Sequence, residues 1–163
     1  MKIGLISDTH GFLDEQVFKY FKEVDEIWHA GDLGTVEVLD ELSHFKKLRS
    51  VYGNIDNSEI RNLIPENQIF TINNLKVWMI HIGGYPPKYS RSIKNLLDKN
   101  QPDIFICGHS HIVRIMKDSS RNLLHINPGA AGKQGFHSVR TIVRFEINGE
   151  KINNMQLIEL GPR

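Results

Sequence analysis

The sequence predicts an α/β fold with two sheets, because short apolar segments alternate with helix-like segments in its first third and extended segments fill most of its second half. Lys2–Ile6 is apolar and ends in a polar turn, which is typical of a buried parallel strand. From Leu13 to Val24 apolar residues recur at helical spacing, which predicts a helix with one buried face. With 163 residues, 40% of them hydrophobic, the chain can bury one sizeable core, so we expect a single domain over residues 1–163.

The alternation continues to residue 54. Glu26–His29 is predicted to be the second strand, and Leu48–Tyr52 the third. Between them, Val36, Leu39 and Leu42 lie at helical spacing. In an open α/β sheet of this β-α-β-α-β pattern, ligands gather at the carboxyl ends of the strands.

A second mixed sheet is predicted by the rest of the chain. Gln68–Ile72 and Val77–Ile80 flank Asn73-Asn74, which indicates a hairpin. Ser92–Lys99 has helical periodicity, and Asp103–Cys107 is an apolar strand that follows Pro102. The remaining extended segments are predicted to be antiparallel strands: 112–117, 123–127, 139–147 and 151–160.

Charge and cysteine content indicate which classes of partner and which cellular compartment to expect. The chain has 20 Lys plus Arg and 19 Asp plus Glu, which gives a net charge of +1. So balanced a charge would not attract nucleic acid or an anionic membrane strongly. The single Cys107 lies among apolar residues and is expected to be core packing in a reducing compartment. The apolar run at the N-terminus is far shorter than the ~20 residues of a membrane span. We therefore expect a cytoplasmic protein without a signal peptide. Whether it forms homo-oligomers through exposed strand edges is not decided by the sequence.

Polar side chains collect where the predicted strands end. Carboxylate, imidazole and amide donors together suit first-row divalent ions, and they are more numerous here than one ion needs. Any one of them alone would more often cap a helix or fill a turn. His29 is interpreted as a supporting or core residue, and His44, His125 and His137 as structural or surface residues. The candidate metal ligands are Asp8, His10, Asp32, Asn54, His81, His109 and His111.

The order of these motifs resembles the calcineurin-like metallophosphoesterases over most of the chain. The residues that carry the resemblance are Asp8-x-His10, Gly31-Asp32, Gly53-Asn54-x-Asp56, His81 and Gly108-His109-Ser110-His111. The chain length, the early Ile-Ser-Asp-Thr-His and the late Asn127-Pro128-Gly129 are most similar to the small YfcE-type phosphodiesterases.

The resemblance implies a four-layer α/β/β/α sandwich with two mixed β-sheets and two divalent metal ions per chain. Mn is the first candidate, with Ni, Fe, Zn, Co and Mg as alternatives. The implied reaction is the hydrolysis of a small phosphoester, most of all a phosphodiester, by a hydroxide that bridges the two ions, with Asn54, Asp32 and His81 as the catalytic residues. The implied ligand sets are Asp8, His10 and His111 on one ion, Asn54, His81 and His109 on the other, and Asp32 on both.

Two positions depart from the family pattern. Many relatives carry His after the Asn of the third motif, where it serves the leaving group, whereas Ile55 cannot donate a proton. We therefore expect a bias toward leaving groups of low pKa. Ile82 separates His81 from Gly83, which alters the loop at that ligand.

Three alternative functions remain open from the sequence. A phosphomonoesterase would use the same chemistry with different pocket walls. A non-catalytic metal-binding scaffold on the same fold, as in the retromer subunit of the family, would need no substrate. Nuclease activity on long nucleic acid lacks the support of a basic stripe.

Overall fold

Two five-stranded mixed sheets form the centre of the protein in the computed structural model, which describes residues 1–163. The first sheet has the strand order β10-β9-β1-β2-β3, and the second has the order β4-β5-β6-β8-β7. The strands are β1 (Lys2–Ile6), β2 (Glu26–His29), β3 (Lys47–Ser50), β4 (Asn67–Ile72), β5 (Leu75–Ile80), β6 (Ile104–Ile106), β7 (Arg114–Asp118), β8 (Leu123–Asn127), β9 (Val139–Asn148) and β10 (Lys151–Pro162). The helices are α1 (Glu15–Tyr20), α2 (Val36–Phe45), α3 (Ser58–Leu63) and α4 (Arg91–Asn100).

Side-chain alternation along the strands creates the layers. Trp28 in β2 and Met79 in β5 point into the core between the sheets, whereas their neighbours Ile27 and Trp78 point outward. The outward face of the first sheet packs against α1, α2 and α3, and that of the second packs against α4. The four-layer α/β/β/α sandwich expected from the resemblance is therefore confirmed.

The strands that precede the candidate ligands run parallel. β1, β2 and β3 are parallel neighbours in the first sheet, and β5 and β6 are parallel neighbours in the second. Their carboxyl ends consequently reach the same end of the sandwich, where the loops of both sheets meet.

Several sequence predictions differ from the structure in detail. The helix predicted over Leu13–Val24 spans only Glu15–Tyr20, because Asp14 caps its start by accepting a hydrogen bond from Gln16 N, and Phe21 caps its end. The short α3 has no counterpart among the helices that the sequence predicts. The β8 strand, predicted as antiparallel, pairs antiparallel with β7 but parallel with β6. None of the helices has the length and apolar character that crossing a bilayer requires.

Candidate metal centre

Five loops from both sheets bring the candidate ligands together. Asp8 and His10 follow β1, and Asp32 follows β2. Backbone hydrogen bonds join the loops, from Asp8 N to Gly31 O at 3.0 Å and from Gly108 N to His81 O at 3.0 Å. The remaining ligands follow the other parallel strands: Asn54 after β3, His81 after β5, and His109 and His111 after β6.

The first cluster consists of Asp8, His10 and His111, whose donor atoms all lie within 4.8 Å of one another. Nε2 of His111 lies 3.2 Å from Oδ1 of Asp8 and 3.2 Å from Nε2 of His10. Three potential ligand atoms therefore converge on one point.

The second cluster consists of Asp32, His81 and His109, with donor atoms that also lie within 4.8 Å of one another. Nδ1 of His81 is 2.7 Å from the carbonyl oxygen of Ala30. Because a carbonyl only accepts, Nδ1 carries the proton, and in the neutral ring Nε2 carries a lone pair. That Nε2 is buried without a hydrogen-bond partner, although it lies 3.2 Å from Oδ2 of Asp32.

Asp32 lies between the two clusters. Its Oδ2 is 3.2 Å from Nε2 of His81 and 3.8 Å from Nε2 of His10. Its Oδ1 accepts a hydrogen bond from the backbone N of Ile55 at 3.1 Å, which fixes the carboxylate. Oδ1 of Asp8 likewise faces one imidazole of each cluster, His111 at 3.2 Å and His81 at 3.9 Å, so both carboxylates lie where the two clusters meet.

Asn54 is exposed and lines a cavity of about 270 Å³ beside the second cluster. The loop that carries it is held by Asp56, whose carboxylate accepts hydrogen bonds from Gly53 N and Gly34 N at 2.8 Å each. Asp56 therefore joins the loop after β3 to the loop after β2, where Asp32 lies.

The backbone of this centre is strained. A non-glycine residue with positive φ costs roughly 1–3 kcal/mol and persists only where the surroundings enforce it, and such residues concentrate at functional sites. Five of the candidate ligands have this conformation: Asp8 (φ 55°), His10 (50°), Asp32 (56°), His109 (67°) and His111 (56°).

Two glycines allow the strand ends to approach the carboxylates. A Cβ at Gly53 would collide with Oδ1 of Asp32, and a Cβ at Gly108 would collide with Oγ of Ser7 and, at 2.7 Å, with Oδ2 of Asp8. Glycine at these two positions is therefore required by space.

His137 supports the first cluster, a role that the sequence interpretation as a structural or surface residue missed. Its Nε2 lies 2.9 Å from Gly132 O and so must donate, which leaves Nδ1 to accept from Nδ1 of His111 at 3.2 Å. These two hydrogen bonds fix the tautomer of His111, so that the lone pair on its Nε2 points toward Asp8 and His10. Because His137 is 26 residues from His111 in the sequence, no local spacing could have indicated the contact.

His29 is a supporting residue rather than a ligand, as the sequence indicated. Its Nδ1 accepts from Gly31 N at 3.1 Å, and its Nε2 contacts Oγ1 of Thr9 at 3.0 Å. Complete burial lowers its pKa to about 4, so the ring is neutral. His125, another structural histidine, is fully buried and its pKa is likewise lowered by burial, to about 4.

Three of the candidate ligands, His81, His10 and Asp32, have displaced pKa values. Burial disfavours the charged form of His81, but the Asp32 and Asp8 carboxylates outweigh it and raise the pKa of His81. For His10, burial prevails over the same two carboxylates and lowers the pKa. Burial opposes ionisation of Asp32, yet the His81 imidazole 3.2 Å away and the hydrogen bond from Ile55 N hold the pKa of Asp32 below its usual range.

The donor atoms fit divalent metal ions. In both clusters, acceptor atoms of imidazole and carboxylate groups face each other at 3.2 Å, an arrangement that needs a proton or a cation between them. A set of imidazoles and carboxylates without thiolate suits Mn, Fe, Co, Ni and Zn. Cys107 is buried, and burial raises its pKa to about 12, so it remains a neutral thiol outside this set.

Comparisons with known proteins agree with this chemistry. The model of the calcineurin-like phosphoesterase superfamily domain matches residues 1–150. A probable metallophosphoesterase of Methanocaldococcus jannaschii is 38% identical over 136 residues, which cover 80% of this chain and 68% of the relative. A phosphodiesterase of the same organism is 28% identical over 145 residues, which cover 79% of this chain and 83% of the relative.

The fold is also found among solved structures. Vps29 of Chaetomium thermophilum superimposes with a TM-score of 0.77 at 17% identity, covering 98% of this chain and 97% of that protein. At this level of identity the similarity shows a common arrangement of sheets and helices, and not a common activity.

Proposed function

The chain belongs to the calcineurin-like phosphoesterase superfamily and is a metal-dependent phosphoesterase, and from this premise we propose that it hydrolyses phosphodiesters with two divalent ions. The proposed ligands are Asp8, His10 and His111 for one ion, Asn54, His81 and His109 for the other, and Asp32 for both. Mn²⁺ is the first candidate, and Ni²⁺, Fe²⁺, Zn²⁺, Co²⁺ and Mg²⁺ are alternatives.

The position of Asp32 is the observation that supports two ions rather than one. Its Oδ2 faces one imidazole of each cluster, at 3.2 Å in His81 and at 3.8 Å in His10. A carboxylate between two sets of donors is the usual bridge in two-metal hydrolytic sites. When bound, such ions lower the pKa of a water nucleophile and neutralise the phosphate oxygens as negative charge develops.

The side chains of the chain itself would orient the substrate. Asn54 stands at the edge of the cavity, where its amide can donate to a phosphate oxygen. The backbone bond from Ile55 to Asp32 keeps that loop next to the shared carboxylate. Ile55 is 45% exposed but has no proton to give, so we expect faster hydrolysis of diesters with leaving groups of low pKa.

Metal removal and replacement tests the proposal. Protein stripped with chelator would be assayed on bis(4-nitrophenyl) phosphate and on 4-nitrophenyl phosphate while Mn²⁺, Ni²⁺, Zn²⁺ and Mg²⁺ are added back singly. We expect activity to disappear and return with metal, and the diester to be the better substrate. His111→Ala should abolish the metal-restored activity, whereas His44→Ala, an exposed histidine on α2, should retain it.

Two results would overturn the proposal in different ways. A higher kcat/KM for the monoester would favour a phosphomonoesterase with the same centre. A folded protein that binds two ions but hydrolyses neither ester would favour a metal-binding scaffold. A cytoplasmic location and self-association remain predictions.

A further inference from the structure

The cavity beside the second cluster has the dimensions of a small specificity pocket. Its volume of about 270 Å³ lies just below the roughly 300–1,000 Å³ of pockets that hold drug-sized ligands, so it accommodates one ring system and no oligomer. Because Asn54 and His81 form part of its wall, a group bound there would be attached to a phosphate at the metal centre. The lining residues are Tyr52, Gly53, Asn54, Arg61, Glu66, Ile80, His81 and Ile82.

Part of the wall is apolar and suited to a flat group. Tyr52, Ile80 and Ile82 contribute an aromatic ring and two branched aliphatic side chains. Ile82 is 50% exposed although it directly follows His81. When a ring of the substrate covers this exposed aliphatic side chain, apolar surface is removed from water and the complex is stabilised.

The polar part of the wall offers both a donor and an acceptor. Arg61 donates through Nε to Asp56 O at 2.7 Å and through Nη2 to Asn54 O at 3.0 Å, and its guanidinium lies 5.0 Å from the centre of the Tyr52 ring. Neither Arg61 nor Glu66 takes part in an ion pair. The two opposite charges balance, which favours a neutral ring with hydrogen-bond donors and acceptors over a second anionic group.

We infer that this cavity binds one nucleoside group of a nucleotide-type phosphodiester, an inference that rests on the proposed phosphodiesterase function. A nucleobase has the planar apolar faces and the polar edge that these walls match. A single base, rather than a strand, also agrees with the balanced charge of the chain.

The test compares two diesters with the same leaving group. Thymidine 5′-(4-nitrophenyl phosphate) and methyl 4-nitrophenyl phosphate both release 4-nitrophenolate, so the ratio of their kcat/KM values reports only the other ester group. We expect a ratio of at least about tenfold in favour of the thymidine ester. Ile82→Ala and Glu66→Ala should each lower the ratio by about three- to tenfold. Ile112→Ala, which removes a similarly exposed isoleucine after His111 from outside the cavity, should leave it unchanged.

Binding of thymidine 5′-monophosphate and methyl phosphate to the metal-loaded protein, measured by calorimetry, separates the two proposals. Hydrolysis of both diesters at equal efficiency, with a ratio that none of the variants changes, would overturn the nucleoside subsite and leave the diesterase intact. If neither diester is hydrolysed, tighter binding of thymidine 5′-monophosphate that Ile82→Ala removes would support the subsite alone. Equal affinities in that case would overturn it.

Discussion

The two halves of the metal centre are held in place to different degrees. In the first cluster, all three residues have left-handed backbone, and the side chains of Asp8 and His111 are held by further hydrogen bonds, from Ser7 Oγ at 2.6 Å and with His137 at 3.2 Å. In the second cluster, Asp32 and His81 are also buried and hydrogen-bonded, to Ile55 N and Ala30 O, but His109 is exposed. Asn54, its proposed fourth ligand, is exposed as well.

This difference teaches how one centre can combine tight metal binding with access for a substrate. The first cluster is fixed before a metal arrives, so little conformational freedom is lost on binding. The second cluster borders the cavity and keeps one side open. We therefore expect the first cluster to bind its ion more tightly than the second.

Asp32→Asn should have the largest effect, because it removes the carboxylate that is proposed as a ligand of both ions. We expect kcat on a diester to fall by about 10³-fold and the affinity for both ions to decrease. Metal content per chain and the rate of diester hydrolysis are the measurements. Asp40→Asn, which changes an exposed aspartate on α2, is the control. A variant that keeps one ion at the original affinity would mean that Asp32 serves the second cluster alone.

His137→Ala should weaken only the first cluster. Loss of the group that orients a metal-ligating histidine typically lowers metal affinity by about 10–100-fold. Calorimetric titration would measure the two binding events, with His44→Ala as the surface control. His137→Gln, which can still accept from His111 and donate to Gly132 O, should restore part of the affinity. Equal weakening of both events would contradict a role specific to the first cluster.

As the pH is lowered, the second cluster should lose its metal ion before the first cluster does. An imidazole must lose its proton to bind a metal, and the pKa of His81 is raised above its usual 6.5 whereas that of His10 is lowered below it. As the pH falls through the raised pKa, affinity at the second cluster should drop about tenfold per pH unit. Calorimetric titrations from about pH 8 to about pH 5.5 would follow this. Simultaneous loss of both ions would contradict the assignment of the two histidines to different ions.

In the metal-free protein, protonation of His81 stabilises the fold, whereas in the metal-loaded protein it opposes metal binding. Because the folded-state pKa of His81 is raised, its protonation stabilises the fold fully below the unfolded pKa of 6.5. That stabilisation is lost as the pH rises through the folded pKa. The melting temperature of stripped protein should therefore decline above about pH 6.5, and added metal should reverse the decline.

The sequence could predict the parts of this centre that depend on strand ends, and much less of what surrounds them. β1 and β6 are short apolar runs, so the positions of Asp8 and His109 at the carboxyl end of a sheet followed from the pattern. The six-residue α3 buries only Ile60, too little periodicity to be recognised. The contact of His137 with His111 depends on how two loops fold over each other, which no local pattern contains.

Cys107→Ala should have the smallest effect on the centre, although Cys107 lies directly before Gly108-His109. The thiol is completely buried and its pKa is raised to about 12 by burial, so it neither ionises nor competes for metal at neutral pH. Its Sγ donates to Gly84 O at 3.4 Å, and its loss leaves a small cavity in the second sheet. We expect unchanged metal stoichiometry and diester rate, with a loss of about 1 kcal/mol, or about 2–4 °C in melting temperature. A fall in metal affinity at the second cluster would mean instead that packing beneath His109 helps to position this exposed ligand.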